Sequence, residues 1–464
     1  MRQNLIINWI KRNNKLLLVS LLVVFISGGL VAQKTWTLRE CIEYALENNI
    51  EVKKSELNSE TSKIAKNQRK LSLLPSLNAN TSYTFGFGRT ADNVTFEYVN
   101  KETQQASFGL SSAVTLFDGF QKINTLKQAH FDYLASKYES DRIRDDISLR
   151  VAAGYLSVLY SMELVEKSEA QLEVTKNQIS NTQKHVKAGT LPKGDLLEMQ
   201  SQNALEEVNL IRAQNQLSLA YLDLKQLLEL ESGEELQIEI PQVDVSFASE
   251  ILNAQEIFNV AVNRLPQIKS AEYQLRSAEK GISIAKGGWS PTITAYGGWR
   301  SSYSDQQPEI DPVAGLTGNI KPFKDQFEDN QSEYIQIGLN LPIFNGWLTN
   351  SNISRSKLTA LTAEYNLELT KNQVRKSIEQ AYSDALAAYK TYNASFKSVE
   401  SFKESFKYME RKFSVGMENS LNYNTAKAQL TRSESDLISA KYDYIFKTKI
   451  LDFYTGIPLS LDGI

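Results

Sequence analysis

The sequence predicts an internally duplicated membrane α/β protein. Four transmembrane β-strands per chain are lent to a barrel shared between copies, and very long helices continue from them. Three observations predict this. The hexamer TLFDGF at 115–120 returns as PIFNGW at 342–347, with Phe117 and Phe344 standing 227 positions apart. Four short stretches alternate apolar residues with small uncharged polar ones. After each hexamer the chain is almost free of helix breakers: only Gly154 interrupts 121–188, and only Gly416 and Gly456 fall between Trp347 and Ile457.

In chain order, the first element is a leader. Arg2, Lys11, Arg12 and Lys15 precede the apolar run LLLVSLLVVFI at 16–26, and small or apolar residues lead on to Ala32. A basic n-region before a short apolar core is the layout of a secretory signal peptide, so residues 1–32 are expected to be cleaved off. An uncleaved anchor would need about 20 apolar residues in a row, more than this core offers. Cys41 lies too far in to be an acylated first residue, and it reads as a small residue of the first mature helix.

The mature chain then divides into a first repeat (33–231), a linker (232–250) and a second repeat (251–464). Each repeat reads helix, strand, loop, strand, long helix, tight turn, helix. ALENN at 45–49 corresponds to AVNRL at 261–265, each placed before a helix. LLPSLNANTSY at 73–83 aligns with WSPTITAYGGW at 289–299, Pro75 on Pro291. HVKAGTLPKGDLL at 185–197 aligns with KFSVGMENSLNYN at 412–424, Gly189 on Gly416. The offset is 216 before the strands and 227 after them, so the second repeat carries the difference, 11 residues, between its strands.

Strands are expected at about 76–88 and 105–117, then at about 291–303 and 333–344. In the first, Leu77, Ala79, Thr81, Tyr83, Phe85 and Phe87 share one face, and Ser76, Asn78, Asn80, Ser82 and Thr84 the other. Phe108, Leu110 and Val114 alternate with Ser107, Gly109 and Ser111 in the second; Ile293, Ala295, Trp299 and Tyr303, then Ile335, Ile337 and Leu339, repeat the pattern. Alternation alone fits any half-buried sheet. Here the polar face is small and uncharged, aromatics gather near the strand ends, and roughly 11 residues suffice to cross a bilayer at a tilt. Four strands cannot close a barrel and lipid does not tolerate open edges, so copies must pool their strands.

Between strand and helix stand the two corners, Phe117-Asp118-Gly119 and Phe344-Asn345-Gly346. Asp or Asn can cap a helix start by accepting a backbone N–H, Gly turns without a Cβ penalty, and the aromatics suit a membrane surface. Beyond them, Leu358, Leu361 and Tyr365, then Ile378, Tyr382, Ala385 and Tyr389, recur at helical steps as an apolar stripe. A helix over 119–188 would be ~105 Å long. Such a length needs side-by-side partners, which implies coiled-coil-like packing. Tight turns are expected near 188–195 and 415–420, where Gly189 and Gly416 can end helices in the left-handed conformation.

Composition narrows the function. The chain has 464 residues, 42% hydrophobic and 23% charged, with 51 basic against 54 acidic side chains, so it should fold and has no basic excess to attract nucleic acid. One cysteine allows no internal disulfide, and two distant histidines give no zinc-like spacing. No catalytic, phosphate-binding or dinucleotide motif is present, so no catalytic residue, metal or cofactor is assigned and a periplasmic enzyme is disfavoured.

These pieces together resemble the TolC-like outer membrane efflux family of Gram-negative bacteria. The resemblance rests on Pro75 and Pro291 at the strand starts, the FDG and FNG corners, and the tips AGTLPKGD and VGMENSLN. It spans roughly 36–458, and its specificity lies in the doubled order. It implies a homotrimer in the cell outer membrane whose strands form one twelve-stranded barrel, continuing into a helical barrel in the periplasm. A barrel of eight would fill with side chains, whereas a conduit needs the wider one. The implied function is a passive exit duct of a tripartite efflux or type I secretion system, carrying drugs, metals, other small molecules or proteins. Its partners would be outer membrane lipid, a periplasmic adaptor (membrane fusion) protein and an inner membrane pump, proton-driven or ABC.

The resemblance also assigns residues. Gly189, Thr190, Leu191, Gly194, Val415, Gly416 and Met417 would meet the adaptor at the periplasmic tips. The family rings its tunnel entrance with cation-binding carboxylates just after the second tip, but the matching positions here are Asn422 and Thr425. Asp195 at the first tip would supply carboxylates if it faces the lumen, or else cap the following helix, the reading we favour. The insert-bearing loop 304–332, with Pro308, Pro312 and Pro322, is expected to be the longer extracellular loop, exposed and variable, with 89–104 its counterpart. The segment 232–247 is expected to pack outside the helical barrel near its middle. The competing function is a trimeric outer membrane structural or adhesive stalk. Strand pairs in mid-chain with helices on both sides favour the duct.

Overall fold

The computed structural model describes residues 35–91, 98–231, 233–241, 253–311, 313 and 315–461. The leader expected at 1–32, residues 242–250 of the expected linker, and Pro312 lie outside them. The elements are β1 (Thr35–Trp36), α1 (Leu38–Asn48), α2 (Ile50–Leu71), β2 (Ser76–Ala91), β3 (Tyr98–Phe117), α3 (Gln121–Lys187), α4 (Lys193–Leu228) and β4 (Gln237–Ile238). There follow α5 (Ala254–Arg264), α6 (Pro266–Gly287), β5 (Thr292–Ser304), β6 (Pro308–Asp311), β7 (Gly315–Ile320), α7 (Phe323–Asp329), β8 (Ser332–Asn340), α8 (Leu348–Ser414) and α9 (Ser420–Thr455).

The duplication shows in element lengths. Helices α1 and α5 each have 11 residues, α2 and α6 have 22, α3 and α8 have 67, and α4 and α9 have 36. At 1.5 Å per residue the 67-residue helices are ~100 Å long. The opening helices start on capping boxes, Thr37 with Glu40 and Asn253 with Glu256. Both then break at an extended residue, Asn49 (φ −60°, ψ 132°) and Leu265 (φ −61°, ψ 129°). Pro266 forces Leu265 out of the helical region, while the Asn49 side chain caps α2 by accepting from the Glu51 N–H at 2.9 Å.

Long helices are stabilised by their neighbours. Val151, Tyr155, Leu156 and Leu159 of α3 are buried together with Cys41 and Ala45 of α1 and Leu224 and Leu228 of α4. In the second repeat, Ala381 and Ala385 let α8 approach Ile257 and Ala261 of α5 closely. Midway along α3, the Tyr155 hydroxyl donates to the carbonyls of Trp36 (3.1 Å) and Glu239 (2.7 Å), tying down the short parallel pair β1–β4. Among the described residues no helix is long and apolar enough to cross a membrane.

The four long strands form one antiparallel sheet in the order β2-β3-β5-β8. Its first hairpin is longer than the sequence suggests, since β2 runs on to Ala91 and β3 starts at Tyr98. The fourth strand is shorter, ending at Asn340 rather than near 344, because Pro342 has no N–H to give to the ladder. The segment 304–332 differs most from expectation. It is not a simple exposed loop, because β6 and β7 pair as a hairpin and α7 folds back onto the sheet.

Candidate functional site

The sheet separates two chemistries. Register places Thr81 opposite Phe108 and Phe108 opposite Ser301, so directly paired residues share a face. One face carries Leu77, Phe85, Leu110, Ile335, Ile337 and Leu339, all exposed and Ile335 at 90%. The opposite face carries Asn80, Ser107, Ser111, Ser302 and Gln336. There the Ser82 and Ser107 hydroxyls pair at 2.7 Å. Among the described residues nothing pairs with the outer edge of β2 or of β8. Exposed apolar side chains on one face and two unpaired edges are an incomplete structure in water and a usable one in lipid.

At the first corner the Asp118 carboxylate accepts the Lys122 N–H at 2.9 Å, which satisfies one donor of the opening turn of α3. Gly119 has φ +66°, and a Cβ there would lie 2.4 Å from the Ser290 Cβ, so glycine is required twice over. Phe117 and Phe120 meet edge to face at 5.5 Å. The second corner is built differently. Asn345 donates its amide to Thr349 Oγ1 at 2.6 Å and does not accept from the backbone, so it does not cap α8 in the manner expected of it. Gly346 has φ +61°, and among the described residues nothing lies within 4 Å of where its Cβ would stand.

Both corners share a feature that the sequence does not announce. Phe120 (φ 62°) and Trp347 (φ 66°) follow their glycines into the left-handed region, at about 1 kcal/mol or more each. Both rings are exposed, as are Ile343 and Phe344. An aromatic after Gly carries no local sign of positive φ; only the doubled motif could have pointed to it.

The two tips are closed identically. Gly189 N–H donates to Val186 and Thr190 N–H to His185; Gly416 N–H donates to Phe413 and Met417 N–H to Lys412. Each is the double bond set that ends a helix on a left-handed glycine, with φ of +78° and +76°. Thr190, Gly194, Val415 and Met417 are exposed and Leu191 is half-buried. Asn422 and Thr425 lie exposed in the first turns of α9, where the Asn422 N–H donates to Asn419 Oδ1 at 2.9 Å.

Asp195 corrects the favoured expectation. It does not cap its own helix, whose N-cap is Pro192. Its Oδ1 accepts from the Ser420 N–H at 3.2 Å and the Ser420 hydroxyl at 2.5 Å, at the start of α9. The neighbouring helix end supplies orphan donors and a favourable dipole for the carboxylate. The two hairpins are thereby joined tip to tip.

Behind this contact Phe413 stacks on Tyr423 at 4.8 Å, with Met199 buried beside them. Deeper still, Lys427 of α9 lies 3.2 Å from Glu206 of α4, both almost fully buried. The Thr175 hydroxyl of α3 bonds to both, and Gln202 donates to Glu206 at 3.0 Å. Burial lowers the Lys427 pKa, opposed by the Glu206 charge. Nothing in the strings EEVN and TAKAQ distinguishes these residues from an ordinary solvated face.

Comparison with known proteins places these features in a family. The model of the outer membrane efflux protein family matches residues 41–229 and 258–456. Outer membrane protein TolC of Salmonella enteritidis is 24% identical over 455 residues, covering 95% of this chain and 86% of that protein. Alkaline protease secretion protein AprF of Pseudomonas aeruginosa is 23% identical over 400 residues, covering 81% of this chain and 76% of its own. Among solved structures, the outer membrane protein VceC of Vibrio cholerae superposes with a TM-score of 0.74 at 16% identity, covering 90% of this chain and 96% of that one.

Proposed function

This chain belongs to the outer membrane efflux protein family, and on that premise we propose that three copies pool their four strands into one twelve-stranded barrel. The protein is an outer membrane exit duct of the efflux or secretion kind, with its helical part on the periplasmic side. The observation that carries the proposal is the sheet itself. Among the described residues it has an apolar face, a polar face and two unpaired edges, which lipid tolerates only if other copies complete the ring. The polar face then lines a water-filled passage and the apolar face meets hydrocarbon.

Transport through such a passage is passive. Energy would come from an inner membrane pump through a periplasmic adaptor bound at the tips, at Gly189, Thr190, Leu191, Gly194, Val415, Gly416 and Met417. Asn422 and Thr425 would bring no charge to the entrance, and the Asp195 carboxylate would reach it only beside its bond to Ser420. The cargo class is drugs, other small molecules or proteins.

Planar-bilayer recording of the purified protein tests the duct. Discrete conductance steps are expected, and cells lacking the protein should retain a fluorescent efflux dye or a secreted protein. An electrically silent protein whose loss affects only surface adhesion would replace the duct with a stalk.

A further inference from the structure

Helix α7 belongs to the stretch that holds the 11 extra residues, and it sits where an exposed loop would not. Its two phenylalanines lie on the apolar face of the sheet: Phe327 is 5.3 Å from the Phe108 ring and 5.7 Å from Trp299, and Phe323 is 5.5 Å from Tyr303. Phe108, Trp299, Ser301 and Tyr303 all fall on that face by register. Ser301 is 2% exposed beneath the helix and donates to the Phe327 carbonyl at 2.6 Å. Gln326, fully buried, accepts from the Ser304 N–H and donates to the Ser304 and Lys321 carbonyls. The helix is therefore fixed to the outside of the sheet, away from the polar face.

Its height is set independently. Glu333 shares the apolar face and pairs with Trp299, and an acidic side chain there belongs at or above the hydrocarbon limit. Phe85 and Phe87 stand on that face above the level of Phe108, where an interfacial aromatic girdle belongs. From Phe108 to the corner at Phe117, the strand spans ~30 Å at ~3.3 Å per residue. At a tilt of 35–45° that is about 21–25 Å across the membrane, close to the height of an apolar band. On its outer side α7 presents Lys324, Asp325 and Glu328, all exposed, with Phe323 half uncovered between the two environments.

We propose that α7 is an interfacial helix on the outside of the barrel. It lies at the headgroup–acyl boundary of the outer leaflet, with Phe323 against lipid and Lys324 and Glu328 among headgroups, and it sets the upper edge of the lipid band. The proposal rests on the apolar face being the lipid face. It also places α7 over β3 and β5, the two inner strands, clear of both edges that would meet other copies.

The test attaches an environment-sensitive fluorophore to Phe323→Cys, Lys324→Cys and Ile337→Cys, each reconstituted in phosphatidylcholine–phosphatidylglycerol vesicles. Cys41 is fully buried, so it should not compete for label. Expected at 323 is blue-shifted emission, quenched about twofold more by a shallow nitroxide lipid than by a deep one. Position 324 should be quenched by the shallow lipid and by aqueous iodide, and it carries the test alone if Phe323→Cys fails to fold. Position 337 should respond to the deep lipid. Deep quenching at 337 with only iodide quenching at 323 and 324 would overturn the proposal while leaving the lipid face intact. A blue shift at 323 that neither lipid quenches would mean a protein partner and would also overturn it. No lipid quenching anywhere would remove the underlying reading as well.

Discussion

Asp195 and Ser420 lie 225 positions apart in the chain, yet the carboxylate of one holds the N–H and hydroxyl of the other at 3.2 and 2.5 Å. This contact ties the first hairpin to the second where both turn. Asp195→Ala should strand the Ser420 N–H and cost about 1–2 kcal/mol locally. Hydrogen exchange should then speed up at Ser420 and its neighbours, and Asp195→Asn, which keeps an acceptor, should do less. Unchanged exchange in the alanine variant would remove the clasp from the account.

Lys427 and Glu206 form the deeper link. Lys427→Met alone leaves a buried carboxylate and should destabilise by about 3 kcal/mol, whereas Lys427→Met with Glu206→Leu should recover most of the loss. Denaturant melts of the two single variants and the double one measure the coupling. Simple additivity would mean that the two charges act separately.

Asp145 gives a pH dependence of defined sign. Burial pushes its carboxyl up to about 6, reinforced by the like charges of Asp141 and Asp146 and opposed by Arg264 and Arg144. The folded value exceeds the unfolded one, so folding disfavours the ionised form. The resulting penalty is absent below about pH 4 and complete above about pH 6. Asp145→Asn should therefore stabilise the fold near neutrality, by on the order of 1 kcal/mol after solvent screening, and leave its stability unchanged in acid, as melting curves at the two pH values would show. A gain confined to acid would reverse the sign and refute the assignment.

Gly119 and Gly346 test the corners. By the repeat offset, Leu74 of the partner subunit should stand to Gly346 as Ser290 stands to Gly119 in the single chain. Gly119→Ala and Gly346→Ala should then lower the yield of assembled protein to a similar degree. Normal assembly of the Gly346 variant beside failure of the Gly119 variant would count against pooled strands.

Much of the strand and helix order was legible because it depends on local patterns: period-two alternation in β2 and β3, long runs without Gly or Pro in α3 and α8, and glycines at the tips. Less was legible where tertiary partners decide the outcome. Asp195 sits where a helix-capping residue would, and only the packing of α9 beside α4 shows that Ser420 claims it. Asp118 and Asn345 occupy equivalent positions yet make different bonds, since Thr349 offers Asn345 a side-chain acceptor that the first corner lacks. Helix α7 lies between prolines and charges that read as a loop, and its docking depends on Phe108 and Trp299, more than 20 residues away in sequence.

The most direct measurement is a cross-link between strand edges. Moving Leu110 on by 227 and Trp299 back by 216 carries their pairing in the sheet to Ile337 and Tyr83 of the partner subunit. A chain carrying Ile337→Cys and Tyr83→Cys, oxidised in outer membranes, should give covalent dimers and trimers and nothing larger, with neither substitution alone doing so. Monomers only, or a product that stops at two, would contradict the shared barrel.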